Sequence, residues 1–236
     1  MLLKQLGYEV VELNLNATLY EKVIREKADI VFNLASTYEW NKTNLIPAIL
    51  EIAGVRYTGS GILSLSLVRN FTKLFPLLSE SGIRIAPYKI MEVAHAIPNN
   101  GLRYPLNLYM DGSRYNLVLA NDIELRNALQ DVPQQTELVL QEHVNGDVVS
   151  QYILDSNPFL ASLDEPYWLP ALKAYQLMEA RGLMRFDFMV SEQPLLVGIE
   201  VSPDPLDEKL LQLAALAGWD AEKIIQTLLE HAGRDH

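Results

Sequence analysis

The 236-residue sequence contains no cysteine. Disulfides, thiolate zinc sites and cysteine nucleophiles are therefore excluded. Histidine is scarce. His95, His143, His231 and His236 are widely spaced and give no zinc-type pattern. No apolar run reaches the roughly 18 residues of a membrane span. The opening MLLKQLGYEVVEL has neither the apolar core nor the cleavage site of a signal peptide. Internal repeats and low-complexity segments are missing too. Basic residues are the minority, with Lys plus Arg at 19 against 30 Asp plus Glu, a net charge of −11. Such a chain lacks the basic surface that non-specific nucleic-acid binding needs, although a local basic pocket for a phosphorylated ligand is still allowed. These absences predict a soluble cytoplasmic protein with neither a nucleic-acid nor a membrane partner.

What is present suits a folded protein of one average domain or two small ones. Apolar residues make up 49% of the chain and charged residues 21%, enough for a core and too few charges for wholesale disorder. The first segment reads as helix (MLLKQLG, stopped at Gly7), strand (YEVVELN), helix (Leu19 to Lys27) and strand (ADIVFNL). That rhythm implies a parallel sheet, and it opens on a helix where a strand is usual, so a shortened start is expected. A helix over 45–54, one or two helices over 63–81, and a strand from Pro87 follow. Tyr104–Tyr109 and Tyr115–Ala120 read as a hairpin. Asp122–Val132 reads as a helix with Asp122 as N-cap. Leu138–Val144 and Val148–Leu154 read as a second hairpin around Asn145-Gly146-Asp147. A helix over 170–184, a third hairpin (RFDFMV and LLVGIEV) and two helices over 207–233 complete the chain. The class is α/β followed by α+β.

The third hairpin carries the most chemistry. Alternate residues of a strand share a face. Arg185, Asp187 and Met189 are expected on one face, opposite Phe186, Phe188 and Val190. Gly198, Glu200 and Ser202 share a face on the partner strand, opposite Val197, Ile199 and Val201. With the apolar set packed inward, Arg185, Asp187, Glu200 and Ser202 can cluster. Two carboxylates and a hydroxyl suit Mg²⁺, which prefers hard oxygen donors and nucleotide phosphates. An ordinary solvated face with one salt bridge fits the same pattern.

Seven stretches, in order along nearly the whole chain, resemble ATP-grasp proteins of the D-alanine–D-alanine ligase group. They are DIVFNLA (29–35), LIPAILEIAGVRYTGSGILSLSL (45–67), TKLFPLLSESGIRIAPY (72–88), RYPL (103–106), QEHVNGD (141–147), RFDFMV (185–190) and GIEVSPDPL (198–206). The resemblance implies an ATP-grasp fold with a truncated Rossmann-like part (1–61), a small lid (62–140) and a C-terminal grasp part (141–236). It implies ATP and Mg²⁺ as cofactors and a reaction in which a carboxylate becomes an acyl phosphate that an amine attacks. Asp187 and Glu200 match the family's metal ligands, and Ser202 stands where a third ligand, asparagine, is usual. Arg185 matches the arginine that stabilises the transferring phosphoryl group.

Other positions depart from the family. Arg69 replaces one phosphate-binding lysine, and Tyr109 stands at the second, where a phenol cannot replace a cation. The phosphate-covering loop is shortened to Asp111-Gly112-Ser113-Arg114, leaving Ser113 and Arg114 as candidate phosphate contacts. Gln141 and Glu142 are candidate adenine or ribose contacts, while Val148 occupies the position of the ribose-binding glutamate. The substrate loop contains Glu39 but no glycine. Two functions follow. The favoured one is a degenerate ATP-grasp protein, a pseudoenzyme that binds nucleotide weakly or acts as a regulatory partner, as a homodimer or beside another ATP-grasp chain. The other is an active carboxylate–amine ligase that uses Arg69 and Arg114 for the lost lysines.

Overall fold

The computed structural model of the chain describes residues 2–34, 44–96, 101–110, 117–155 and 165–232. Backbone contacts divide it into two compact units. One holds residues up to Leu65, Gln151–Phe186 and Ile199 onward; the other holds Ser66–Ser150 and Asp187–Gly198.

In the first unit, helices α1 (Leu2–Gln5), α2 (Leu19–Glu26) and α3 (Leu45–Ile52) accompany two short parallel strands, β1 (Ile30–Val31) and β2 (Arg56–Tyr57). Leu19, Val23, Ile46, Leu50 and Tyr57 form their core. Tyr8–Asn14, expected as a strand, has no regular structure, because no described strand lies alongside to complete its ladder. The helix expected over 170–184 starts earlier and ends sooner, as α7 (Glu165–Leu177), running through Pro170. The closing helices α8 (Glu208–Leu216) and α9 (Ala221–His231) match expectation. They start at Asp207 and Asp220, whose carboxylates accept from the amides of Leu210 and Lys223. Leu210, Ala214, Ile224 and Leu228 pack on Tyr152, Leu154 and Leu183.

The turn at 57–64 is bound to the turn after α7. Ser60 Oγ donates to the Arg181 carbonyl (2.8 Å) and accepts from the Arg181 amide (3.1 Å). Ser64 Oγ donates to the Met178 carbonyl at 2.8 Å. A Cβ on Gly182 would stand 2.9 Å from Gly59 Cα, and both glycines have left-handed φ, +65° and +95°. Two backbones touch here, and a side chain on Gly182 would meet the Gly59 backbone.

The second unit holds α5 (Phe71–Glu80) and a four-stranded antiparallel sheet. Its strands are β3 (Tyr88–Glu92), β4 (Leu106–Met110), β5 (Leu117–Leu119) and β6 (Glu137–Glu142), in the order β3-β6-β4-β5. Leu106, Leu108, Leu119, Leu138 and Leu140 pack on Leu125 and Leu129 of α6 (Asp122–Leu129). The N-cap of α6 is Asn121, not Asp122: the Asn121 side chain accepts from the amides of Ile123 and Glu124.

Strands β7 (Val148–Leu154), β8 (Leu183–Met189) and β9 (Leu195–Val201) form a separate sheet in the order β7-β8-β9, and the division between units falls within all three strands. The hairpin expected between 138–144 and 148–154 is therefore absent. β6 has β3 on one side and β4 on the other, so no edge is left for β7. The hairpin of β8 with β9 is as expected. α4 (Ile62–Leu67) links the segments on either side of Leu65.

Gly182→Ala is expected to lose about 2–4 kcal/mol, from a strained φ and a backbone clash together. Gly218, with φ +73° and nothing within 4 Å, is the control. Gly218→Ala should cost about 1 kcal/mol from strain alone. Urea-unfolding midpoints of the two variants test the difference.

Candidate functional site

The alternation of β8 places Arg185, Asp187 and Met189 on its half-buried face, with Phe186 and Phe188 fully buried behind them. On β9 the pattern is looser, since Val197 is exposed and Leu196 is buried. Three contacts fix the register. The Ser202 amide donates to the Leu183 carbonyl (3.0 Å), Arg185 pairs with Glu200, and Asp187 lies against Gly198.

In the first unit, Arg185 Nη1 lies 2.8 Å from Glu200 Oε2. Both side chains are partly exposed, so solvent screens the pair. Ser202 has a left-handed φ of +57°, a conformation costing a non-glycine residue about 1–3 kcal/mol. Its Oγ stands 2.8 Å from where a Cβ on Gly59 would be. The turn around Ser202 thus needs a glycine facing it.

In the second unit, Ser150 Oγ donates to Asp187 Oδ1 at 2.7 Å. The donors at Asp187, Glu200 and Ser202 are all oxygen, which fits Mg²⁺ in kind. Among the described residues no three His, Asp or Glu side chains gather to hold a metal. Asp187 by itself offers the carboxylate oxygen that Mg²⁺ takes, with phosphate and water commonly completing the shell.

Of the remaining candidates, Tyr109, Gln141 and Glu142 lie on the four-stranded sheet. Asn107 and Gln141 are opposite one another in register, and both are buried. Tyr109, two residues on from Asn107, donates from its hydroxyl to Gln141 Oε1 at 3.1 Å. Its ring lies 4.4 Å from that of Phe71 and 5.5 Å from that of Phe75. Gln141 Nε2 donates to the Ala86 carbonyl at 3.5 Å. Burial pushes the Tyr109 phenol up to about 12. Glu142 takes the Arg103 amide at 3.0 Å and the Arg103 guanidinium at 3.0 Å. These bonds hold its carboxyl below the usual carboxylate range. Arg69 is buried, which lowers the pKa of its guanidinium. Val148 is exposed. Ser113, Arg114 and Glu39 lie outside the described residues.

Sequence reading missed Arg103 and Ser150. Nothing in the local pattern announces Arg103. Ser150 was legible in principle, since alternation from Val148 puts it on one face. Its partner is hidden because the Asn145-Gly146 turn signal points β7 to β6, whereas β7 pairs with β8.

A phenol pushed up from 10.0 favours the folded state in its neutral form. That contribution is whole below pH about 10 and is lost as pH rises through about 12. A difference titration of tyrosinate absorbance between wild type and Tyr109→Phe should show one late-ionising group. Tyr109→Phe should also cost about 1 kcal/mol, because it leaves a buried Gln141 oxygen without its donor. Chemical denaturation measures that loss.

No family model matches the chain. The D-alanine–D-alanine ligase of Geotalea uraniireducens (strain Rf4) is 23% identical over 266 residues, 96% of this chain and 86% of the relative. That of Rickettsia akari (strain Hartford) is 23% identical over 267 residues, 96% of this chain and 83% of the relative. Among solved structures, the D-alanine–D-alanine ligase of Bacillus anthracis complexed with ATP superposes with a TM-score of 0.81 at 20% identity. That match covers 96% of this chain and 86% of the other. The ligase of Coxiella burnetii gives a TM-score of 0.70 at 16% identity, covering 87% and 68%. The similarity along the chain and the shared architecture agree: the chain has the ATP-grasp fold, and its sequence is similar to D-alanine–D-alanine ligases over nearly its whole length.

Proposed function

We propose that the chain is a degenerate ATP-grasp protein without the standard ligase activity, which binds a nucleotide weakly or serves as a regulatory, partner-binding subunit in the cytoplasm. The observation that carries this reading is the engagement of Tyr109. Where the resemblance implies a phosphate-binding lysine, a neutral phenol is bonded to Gln141 and packed on Phe71. Loss of a charge-assisted phosphate contact costs about 1.5–3 kcal/mol. The same phenol engages Gln141, and Arg103 engages Glu142, so both candidate base or ribose contacts already have intramolecular partners. Val148 adds no acceptor.

Bound Mg·ATP would supply an electrophilic phosphoryl group with its charge partly neutralised. Asp187, Glu200 and Ser202 would hold the metal. Arg69, Ser113, Arg114, Gln141 and Glu142 would meet the nucleotide, and Arg185 would face the phosphoryl group. The division into 1–61, 62–140 and 141–236 belongs to this reading. So does a partner, either a second copy or another ATP-grasp chain. The alternative is an active carboxylate–amine ligase with Arg69 and Arg114 in place of the lysines, and the burial of Arg69 weighs against it.

Calorimetric titration of ATP with and without Mg²⁺, on wild type and on Asp187→Asn/Glu200→Gln, tests the proposal. Weak binding is expected, with no phosphate release in the presence of amino-acid pairs. Micromolar, Mg²⁺-dependent binding that disappears in the double variant, together with phosphate release, would overturn the degenerate reading in favour of the ligase.

A further inference from the structure

Asp187 lies midway along β8, with β7 on one side and β9 on the other. From β7, the Ser150 hydroxyl donates to Oδ1 at 2.7 Å. On the β9 side is Gly198. A Cβ there would stand 3.1 Å from Asp187 Oδ2, 3.3 Å from Asp187 Cβ and 3.6 Å from Asp187 Cγ. Unlike Gly59 and Gly182, Gly198 has no left-handed φ. Its backbone would accept any residue, so what favours glycine here is space. The carboxylate lies over the bare backbone of Gly198, held by a hydroxyl on the opposite side.

We propose that Ser150 and Gly198 are positioning residues for Asp187, fixing the direction in which its carboxylate offers oxygen to a divalent cation. The inference rests on reading Asp187 as a metal ligand. A carboxylate already restrained by a short hydroxyl bond loses less rotamer freedom when it binds a cation. Neighbours that orient a metal ligand commonly change affinity tenfold or more when removed. Serine suits the task because its side chain is short enough to reach the adjacent strand without covering the carboxylate. A Cβ at position 198 would push the carboxylate off the backbone and redirect both oxygens.

Mn²⁺ alone is the probe, with the unbound ion read by electron paramagnetic resonance on the full chain. Ser150→Ala should weaken binding about tenfold, and Ser150→Thr, which keeps the hydroxyl, should restore it to within about twofold of wild type. Gly198→Ala should also weaken binding, at an unfolding midpoint close to wild type. A purely structural role for Ser150 would lower the unfolding midpoint and leave affinity unchanged. If wild type binds no Mn²⁺ at millimolar concentration, or Asp187→Asn binds it equally well, the reading of Asp187 fails and takes this proposal with it. If Asp187→Asn abolishes binding while Ser150→Ala and Gly198→Ala bind as wild type does, the metal reading stands and the positioning proposal is overturned. Equal losses in Ser150→Ala and Ser150→Thr would also overturn the role of the hydroxyl.

Discussion

The contact of Gly59 with Gly182 is the constraint on which much of the first unit depends. Gly182 leads directly into β8. Its carbonyl accepts from the Tyr175 hydroxyl at 3.0 Å and its amide donates to Asp155 Oδ1 at 2.7 Å. Gly59 faces Ser202 just past the end of β9. One pair of glycines therefore sets where β8 starts, and it lies beside the turn where β9 ends. Arg185 and Glu200, two residues in from the Leu183–Ser202 bond on each strand, pair beyond it. The polar bonds of Ser60 and Ser64 reinforce the contact, and the hydroxyl of Tyr57 accepts from Arg181 at 2.7 Å nearby.

The four-stranded sheet obeys a different rule. Its two faces have opposite characters, and alternation along β4 and β6 creates both. Leu106, Leu108, Leu138 and Leu140 face α6, while Asn107, Tyr109, Val139 and Gln141 alternate with them. Tyr109 and Gln141 bond each other, Gln141 also reaches the Ala86 carbonyl, and Asn107 Oδ1 lies 3.0 Å from His143 Nδ1, so the buried polar groups of that second set have partners. A surface that satisfies itself has few groups left to offer a ligand, and the aromatic contact of Phe71 with Tyr109 adds packing to the same end.

The sequence disclosed what short-range periodicity encodes. The β8–β9 hairpin and the face shared by Arg185 and Asp187 were readable because alternation is local. So were α2, α3, α8 and α9, whose apolar spacing is regular. Strand partnership was not readable. Asn145-Gly146 is a strong turn signal, yet β6 inserts between β3 and β4, and pairing at that distance leaves no mark on the residues between. Tyr8–Asn14 has the composition of a strand and lacks a described neighbour to pair with. Residue identities marked Asp187 and Glu200 as candidates. The contacts that orient them, from Ser150 and Arg185, depend on register and became visible only with the fold.

Both units are assembled from distant stretches of chain, and this bears on how the protein is made. The bond from Ser60 to Arg181 spans 121 residues. At a synthesis rate of about 5–20 residues per second, the turn at 57–64 waits roughly 6–25 seconds for its partner to be added. Meanwhile the early segment can build its small core of Leu19, Val23, Ile46, Leu50 and Tyr57 locally. The nascent chain thus carries a half-finished unit past the completion of the four-stranded sheet. In that interval the apolar groups that the finished unit buries are still open to solvent, the condition under which chains aggregate.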